Sequence, residues 1–253
     1  KLTARKPRDT TILMDACIGG NMEFFNRLLE LGADINEFNK LGQNALHYVA
    51  KHGNVKFISR LLEAGADIAL RDTQNIPLVF YACQNLNRTV FTFLLDHGMD
   101  AKATTKNGAT AIDYAIMNGS SSIECFRQLV EARLDINDKE KKGRTAFFYA
   151  ISKSNEEAVK QLIQIDADIH VLDDAGETLL NVACATGNIR IINILLDHGA
   201  NVNQKGLAGS CPIHLICKMG SIKIFKNLIH NGANINSKDD LGMTPLHYAC
   251  LYS

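Results

Sequence analysis

Three stretches of this chain carry residue types that do chemistry in other proteins: TPLHYAC at 244–250, CPIHLIC at 211–217 and TLLNVAC at 178–184. In the first two a histidine stands three residues before a cysteine, a spacing that would allow a Cys–His nucleophile pair. Repeated thiols and imidazoles also raise metal binding or redox chemistry. The distribution of the residues argues against all three. The seventh heptad position holds Cys17, Cys83, Cys184, Cys217 and Cys250, but Ala50, Ile116 and Ile151 in other copies. A slot that accepts Cys, Ala or Ile is apolar and buried, and cysteine there acts as a small hydrophobe. On stacked helices neighbouring copies would lie about 10 Å apart, too far for a disulfide. A His–Cys site in several copies would also need a third, orienting group in each, and none is present. No phosphate-loop, H-E-x-x-H, G-x-S-x-G or kinase signature occurs, and GLAGS at 206–210 has two glycines without a preceding strand. The expectation is no catalytic residue, no metal ligand and no cofactor.

The elements that carry these heptads recur. Motif starts fall at Thr11, Asn44, Pro77, Thr110, Thr145, Thr178, Cys211 and Thr244, with six intervals of 33 residues and one of 35. The extra length falls in NGSSSIEC, where Ser120–Ser122 lengthen a turn. Each unit reads alike: NALHYVAKHG (44–53) leads into NVKFISRLLEAGADI, and TLLNVACATG (178–187) into NIRIINILLDHGANVN. The first half has small and apolar residues at helical spacing and closes on Gly53 or Gly187, suited to a helix C-terminus. In the second half Val55, Ile58, Leu61 and Leu62 line one helical face, as do Ile189, Ile192, Leu195 and Leu196. A further glycine and a polar extended stretch precede the next unit. Thr244 and Pro245 supply an N-cap and a first helical residue with no donor to waste. One such unit cannot bury its apolar face alone, so the units must stack into a solenoid.

The 33-residue period, TPLHYAC, LLDHGANVN and LLELGADIN resemble ankyrin repeats, over about seven and a quarter units. The resemblance implies an all-α solenoid of paired antiparallel helices with short β-hairpin loops, seven repeats and a partial eighth. It makes 1–253 a single repeat domain after a leader at 1–10, with hairpin tips projecting toward a concave face. It also implies that His47, His214 and His247 hydrogen-bond between neighbouring repeats, tying hairpin to helix. His97 and His198 stand near helix C-termini, where such a side chain suits the dipole. Asn36, Asn137, Asn203 and Asn236 resemble sites that an asparaginyl hydroxylase modifies in some ankyrin proteins, although a local turn bond is the favoured reading.

Several units depart from the pattern. Asn75, Leu86, Arg133, Ser154 and Asp166 replace glycines, and Met99 replaces an alanine. A side chain at positive φ costs about 1 kcal/mol, so the middle units are expected to be less regular. Pro77 sits one residue early, predicting a helix that starts one residue sooner. At the other end HYACLY lacks a terminal unit's polar face, so further repeats or another domain are expected to cover it.

The resemblance places contacts on the tips and on the exposed ends of the first helices. The map is Lys40, Gln43, Lys51 and His52 in the second unit, Tyr81 in the third, and Lys106, Tyr114 and Met117 in the fourth. It continues with Lys141, Lys142, Arg144, Tyr149 and Lys153 in the fifth, Asp174 and Glu177 in the sixth, and Lys218 and Met219 in the seventh. Charge is segregated, positive in the fifth unit and negative in the sixth, which suits a partner with matching acidic and basic portions. Tyr48, Tyr81, Tyr114, Tyr149 and Tyr248 all hold the fifth motif position. They are read as packing between repeats with hydroxyls at the groove edge, or as an aromatic floor for a peptide.

Composition narrows the classes further. Twenty-seven basic residues balance 27 acidic ones, leaving no global field to draw the chain to nucleic acid or an anionic membrane. No run of about 18 apolar residues occurs, and KLTARKPRDT lacks the apolar core of a secretory signal. Seven cysteines in no disulfide pattern point to a reducing compartment, cytoplasmic or nuclear. The expected function is a non-catalytic scaffold holding a protein or peptide in its concave groove. The alternative is a regulatory or targeting segment of a larger enzyme, channel or acyltransferase.

Overall fold

The computed structural model describes residues 10–85, 88–117, 123–131 and 134–252, with only the backbone described for Asn85 and residues 123–125. Leu86, Ser120–Ser122 and Arg133, singled out above, lie outside the described residues. The chain divides into two compact units, one running to Leu134 and the other from Asp135.

Helices come in pairs. In the first unit these are α1 (Ile12–Gly19) and α2 (Met22–Glu30), α3 (Ala45–His52) and α4 (Val55–Glu63), α5 (Leu78–Asn85) and α6 (Arg88–Asp96), α7 (Ala111–Met117) and α8 (Ile123–Glu131). The second unit has α9 (Ala146–Ser152) and α10 (Glu156–Gln164), α11 (Leu179–Thr186) and α12 (Ile189–Asp197), α13 (Pro212–Met219) and α14 (Ile222–His230), then α15 (Pro245–Tyr252). Within each unit first helices pack on first helices, α1 on α3 on α5 on α7, and α9 on α11 on α13 on α15. Second helices stack beside them, with the Phe25 and Phe57 rings 4.9 Å apart edge to face. Burying each such ring stabilises by about 2–3 kcal/mol, so the stacking of successive pairs creates the core.

The residues chosen at the helix ends explain where the helices begin and stop. Asn44 and Thr178 accept from the backbone N–H three residues on, at 3.2 and 3.0 Å. Gly53 and Gly187 end α3 and α11 with φ of 82° and 71°. The second-helix face is rotated from the expectation: Phe57, Ile58 and Leu61, and likewise Ile191, Ile192 and Leu195, are buried, whereas Val55, Leu62, Ile189 and Leu196 are only half-buried. The second helix packs against both its own partner and its neighbours, so its buried face includes one residue that a single-stripe reading omits.

The departures resolve individually. Asn75, Ser154 and Asp166 do adopt positive φ, at 64°, 54° and 59°. The helix after Pro77 does not start early: α5 begins at Leu78, in register with the others. Pro77 occupies the cap position, where its carbonyl accepts from Phe80 at 3.1 Å and its missing N–H is no loss. Among the described residues, α7 and α9 of the middle units also span seven residues where the other first helices span eight.

Between helix pairs the chain makes tight tips. Among the described residues no strand forms, and pairing is limited to the isolated bridges Arg71–Pro77 and Leu172–Thr178. Each tip closes on a backbone bond four residues long, for example Asn39 N–H to the Gln43 carbonyl at 2.9 Å and Asp239 N–H to Met243 at 3.0 Å. Successive tips are stitched together within a unit: Thr73 N–H donates to the Leu41 carbonyl and Asp174 N–H to Lys142, both at 2.9 Å. That approach demands glycine. At Gly42 (φ 71°) a Cβ would sit 2.5 Å from the Thr73 nitrogen, and at Gly143 (φ 73°) 2.6 Å from that of Asp174.

Candidate functional site

The tips and the first helices face each other, and side chains lock them together. In the first unit Asp72 Oδ1 accepts from the backbone N–H of Gln74 and Ile76, at 2.9 and 2.8 Å, which shapes the tip. Its Oδ2 accepts from the Tyr81 hydroxyl at 2.6 Å, which ties the tip to α5. Tyr81 is only 6% exposed, and its hydroxyl also accepts from Gln43 Nε2 of the preceding tip at 2.8 Å. Burial first, and then the bond to Asp72, push the Tyr81 phenol well above its usual pKa. Gln84 donates to the Tyr114 hydroxyl at 3.2 Å. Over these groups lies a cleft of about 160 Å³, walled by Gln43, Lys51, Asp72, Tyr81, Gln84 and Tyr114. Beside it His52 stacks on Tyr48, with ring centroids 6.5 Å apart.

The second unit repeats the tie in two variants. Around α15 the arrangement matches the first unit: Asp239 caps its tip through Leu241 and Met243 N–H and accepts from the Tyr248 hydroxyl at 2.8 Å. His214, buried in α13, takes the Cys211 N–H at Nδ1 (3.0 Å), which fixes the proton on Nε2. Nε2 then donates to the Ser237 and Met243 carbonyls at 3.0 and 3.2 Å, from helix to loop of the next pair. In α11, Asn181 takes that place, donating to the Ser210 carbonyl at 2.9 Å and to Glu177 at 2.8 Å. Gly206 stands in the facing tip because a Cβ there would run into Glu177 and Asn181.

The thiols of the heptad are not poised for reaction. Cys17, Cys83, Cys184 and Cys211 are buried, and burial pushes Cys17 and Cys184 up to about 12. The thiolate that reacts or binds metal is therefore suppressed. Cys217 is half-buried and Cys250 exposed, so the expectation of a uniformly buried slot fails at the last two copies. No further described helix packs on α15, which leaves Leu246 71% exposed and His247 exposed too. His247 consequently bonds only within its own turn, to Thr244. Among the described residues no group of three or more His, Cys, Asp or Glu side chains converges as a metal site.

Sequence comparison decides the family. The family model described as ankyrin repeats (3 copies) matches residues 2–72, 71–140, 120–206 and 204–253. The chain belongs to the ankyrin repeat family. Ankyrin repeats are in general protein–protein interaction modules. The fold is similar to the crystal structure of the human ASB11 ankyrin repeat domain, with a TM-score of 0.75 and 21% identity, covering 89% of this chain and 99% of that one. No curated protein matches the sequence. No described helix is long and apolar enough to cross a membrane.

In ankyrin terms the mapped residues fall into three groups. Gln43, Lys51, Tyr81 and Tyr114 come together at the cleft of the first unit, with His52 beside it and Lys40, Lys106 and Met117 exposed on adjoining tips and helix ends. In the second unit Lys141, Lys142, Lys153, Asp174, Lys218 and Met219 are exposed and Tyr149 half-buried. Arg144 and Glu177 have structural duties: Arg144 Nε lies 3.4 Å from the buried Asp173 carboxylate, and Glu177 accepts from Asn181. Sequence reasoning missed the tip residues Asn39, Asp72 and Asp239, each bonded to the motif tyrosine nine residues on. That fixed separation was the available signal. All four loop asparagines act locally or between loops: Asn137 accepts from Asp168 N–H, Asn203 from Asn234 N–H, and Asn36 and Asn236 donate their own N–H to Asp34 and Asn234.

Proposed function

We propose that this chain is a non-catalytic scaffold that holds a partner protein or extended peptide against the face formed by tips and first-helix ends. The observation that carries the reading is the division of labour just described. Asp, Tyr, His and Asn side chains fasten tip to helix, with Gln43 and Gln84 bonded to two of the tyrosines, while Lys51, Lys106, Lys141, Lys142, Lys153, Met117 and Met219 are on the same face and exposed. In the second unit Lys141 and Lys142 project from one tip and Asp174 from the next, which supports a partner carrying opposite charges in matching order.

The eight motif starts and the overlapping family matches support one run of seven repeats and a partial eighth. Buried free thiols support a reducing compartment, cytoplasmic or nuclear. The apolar face of α15 supports contact with further protein there. Balanced charge and the lack of a sustained basic track argue against nucleic acid.

Affinity capture with the chain and with a Lys141→Glu/Lys142→Glu variant, read by mass spectrometry, tests this. The expected result is a partner retained by the parent and depleted on the variant, with the melting temperature unchanged because both lysines are exposed. Arg144 stays intact in this variant, since reversing it would set a carboxylate against Asp173. Identical capture by both proteins would contradict the reading.

A further inference from the structure

We propose that the cleft over Tyr81 and Tyr114 in the first unit is a subsite for one acidic side chain of an extended peptide. The inference rests on the groove reading above and names the chemistry of one contact within it.

Asp72 lines the cleft, but its two oxygens already take three hydrogens, from Gln74 N–H, Ile76 N–H and the Tyr81 hydroxyl. The Tyr81 hydroxyl spends its proton on Asp72 and accepts from Gln43. Gln43 Oε1 is filled by Asn39 Nδ2 at 3.1 Å. The acceptors of Asp72, Tyr81 and Gln43 are therefore largely used up, which leaves the Gln84 and Gln74 carbonyl oxygens at the rim. Donors are not used up: one N–H of each of the Gln43 and Gln84 amides is left after their bonds to Tyr81 and Tyr114, and each amide carries two. Lys51 adds an ammonium at the wall. The ion pairs Arg27–Glu30 and Arg60–Glu63 of this unit lie on the second helices and do not involve it.

A wall with surplus N–H donors and a cation is matched by a carboxylate, which accepts several hydrogens and carries the opposite charge. A lysine or arginine guest would meet an ammonium and an already saturated aspartate. A carboxamide guest could bond to the amides but would lack the charge that Lys51 matches. The volume of about 160 Å³ holds an aspartate or glutamate side chain with a water or two, at about 30 Å³ per water. Exposed Lys106 on an adjoining tip adds long-range attraction of the same sign.

The test uses fluorescein-labelled ten-residue peptide pools, randomised among Ala, Ser and Leu around a fixed central Glu, Gln or Lys, read by anisotropy against the full chain. The Glu pool should bind about tenfold more tightly than the Gln pool, with the Lys pool weakest. Lys51→Glu should abolish or invert that order, and Gln84→Leu should reduce it, both at unchanged melting temperature. The Lys141→Glu/Lys142→Glu variant should keep it. Equal binding of the Glu and Gln pools overturns the subsite. So does a preference that survives Lys51→Glu but disappears with the two tip lysines, an outcome that leaves the groove reading standing. Failure of every pool to bind also overturns it, and the groove reading then depends on the capture experiment.

Discussion

His47 and His214 fill the same motif slot, one in each unit, and their surroundings differ in an instructive way. Both are buried, and at each Nδ1 the backbone N–H three residues before lies within bonding distance, at 3.2 and 3.0 Å, although at His47 the Asn44 Oδ1 is closer still, at 2.7 Å. His214 then completes its bonding through Nε2 to two carbonyls of the next loop. His47 Nε2 is buried and makes no bond of full hydrogen-bond geometry, the Leu70 carbonyl acting on the ring only as a weaker contact. The loop facing His214 carries Gly242 and Thr244; the one facing His47 carries Asn75 at φ 64° and Pro77 in those places. One letter of a repeat motif thus fixes a position in the fold, while the neighbouring repeat decides whether its bonds are completed. The His47 ring is held instead by edge-to-face packing on Tyr81 at 5.0 Å.

The comparison can be broken by substitution. His214→Leu strips the donor from two loop carbonyls and is expected to cost about 3 kcal/mol. His47→Leu removes an unsatisfied nitrogen and should cost less by about 1–2 kcal/mol. Urea unfolding of both variants measures the gap, and equal losses would show that Nε2 bonding does not distinguish the sites. Acid sharpens the contrast. Burial pushes His47 down to about 4 from 6.5, against the opposing pull of Asp72 and the Leu70 carbonyl. The unfolded chain therefore binds the proton first as pH falls, so the stability held by neutral His47 is full above pH 6.5 and lost toward pH 4. At pH 5 the loss should be about 2 kcal/mol relative to pH 7, and His47→Gln should flatten the curve over that window. A parallel pH dependence of parent and variant would contradict it. The smallest effect concerns Ala208, which holds φ 54° in the tip before α13 without being glycine. Ala208→Gly should raise stability by about 0.5–1 kcal/mol, measured by thermal unfolding; a loss would mean that the methyl is needed for packing.

Much of this was legible in the residues. The 33-residue interval fixed the helix pairs and their register, because a unit with one apolar face has no stable existence apart from its neighbours. Gly53 and Gly187 marked helix ends because the required φ is positive. Other features depend on three-dimensional neighbours. That Asn181 substitutes for a motif histidine shows only once Ser210 is seen opposite it. That Arg144 belongs with Asp173, 29 residues on, weakened a charge map drawn from motif positions. The cleft required knowing which amide hydrogens were already spent, and no spacing rule reports that.

The recurring heptad builds the stack, and its inner thiols are packed as small hydrophobes. Thiol labelling of the native chain, resolved peptide by peptide by mass spectrometry, tests it most directly. Cys250 should label fast and Cys217 more slowly, while Cys17, Cys83, Cys184 and Cys211 stay protected until denaturant unfolds their unit. Rapid native labelling of Cys17 or Cys184 would contradict the account, for it would mean a thiolate where the structure places a buried hydrophobe.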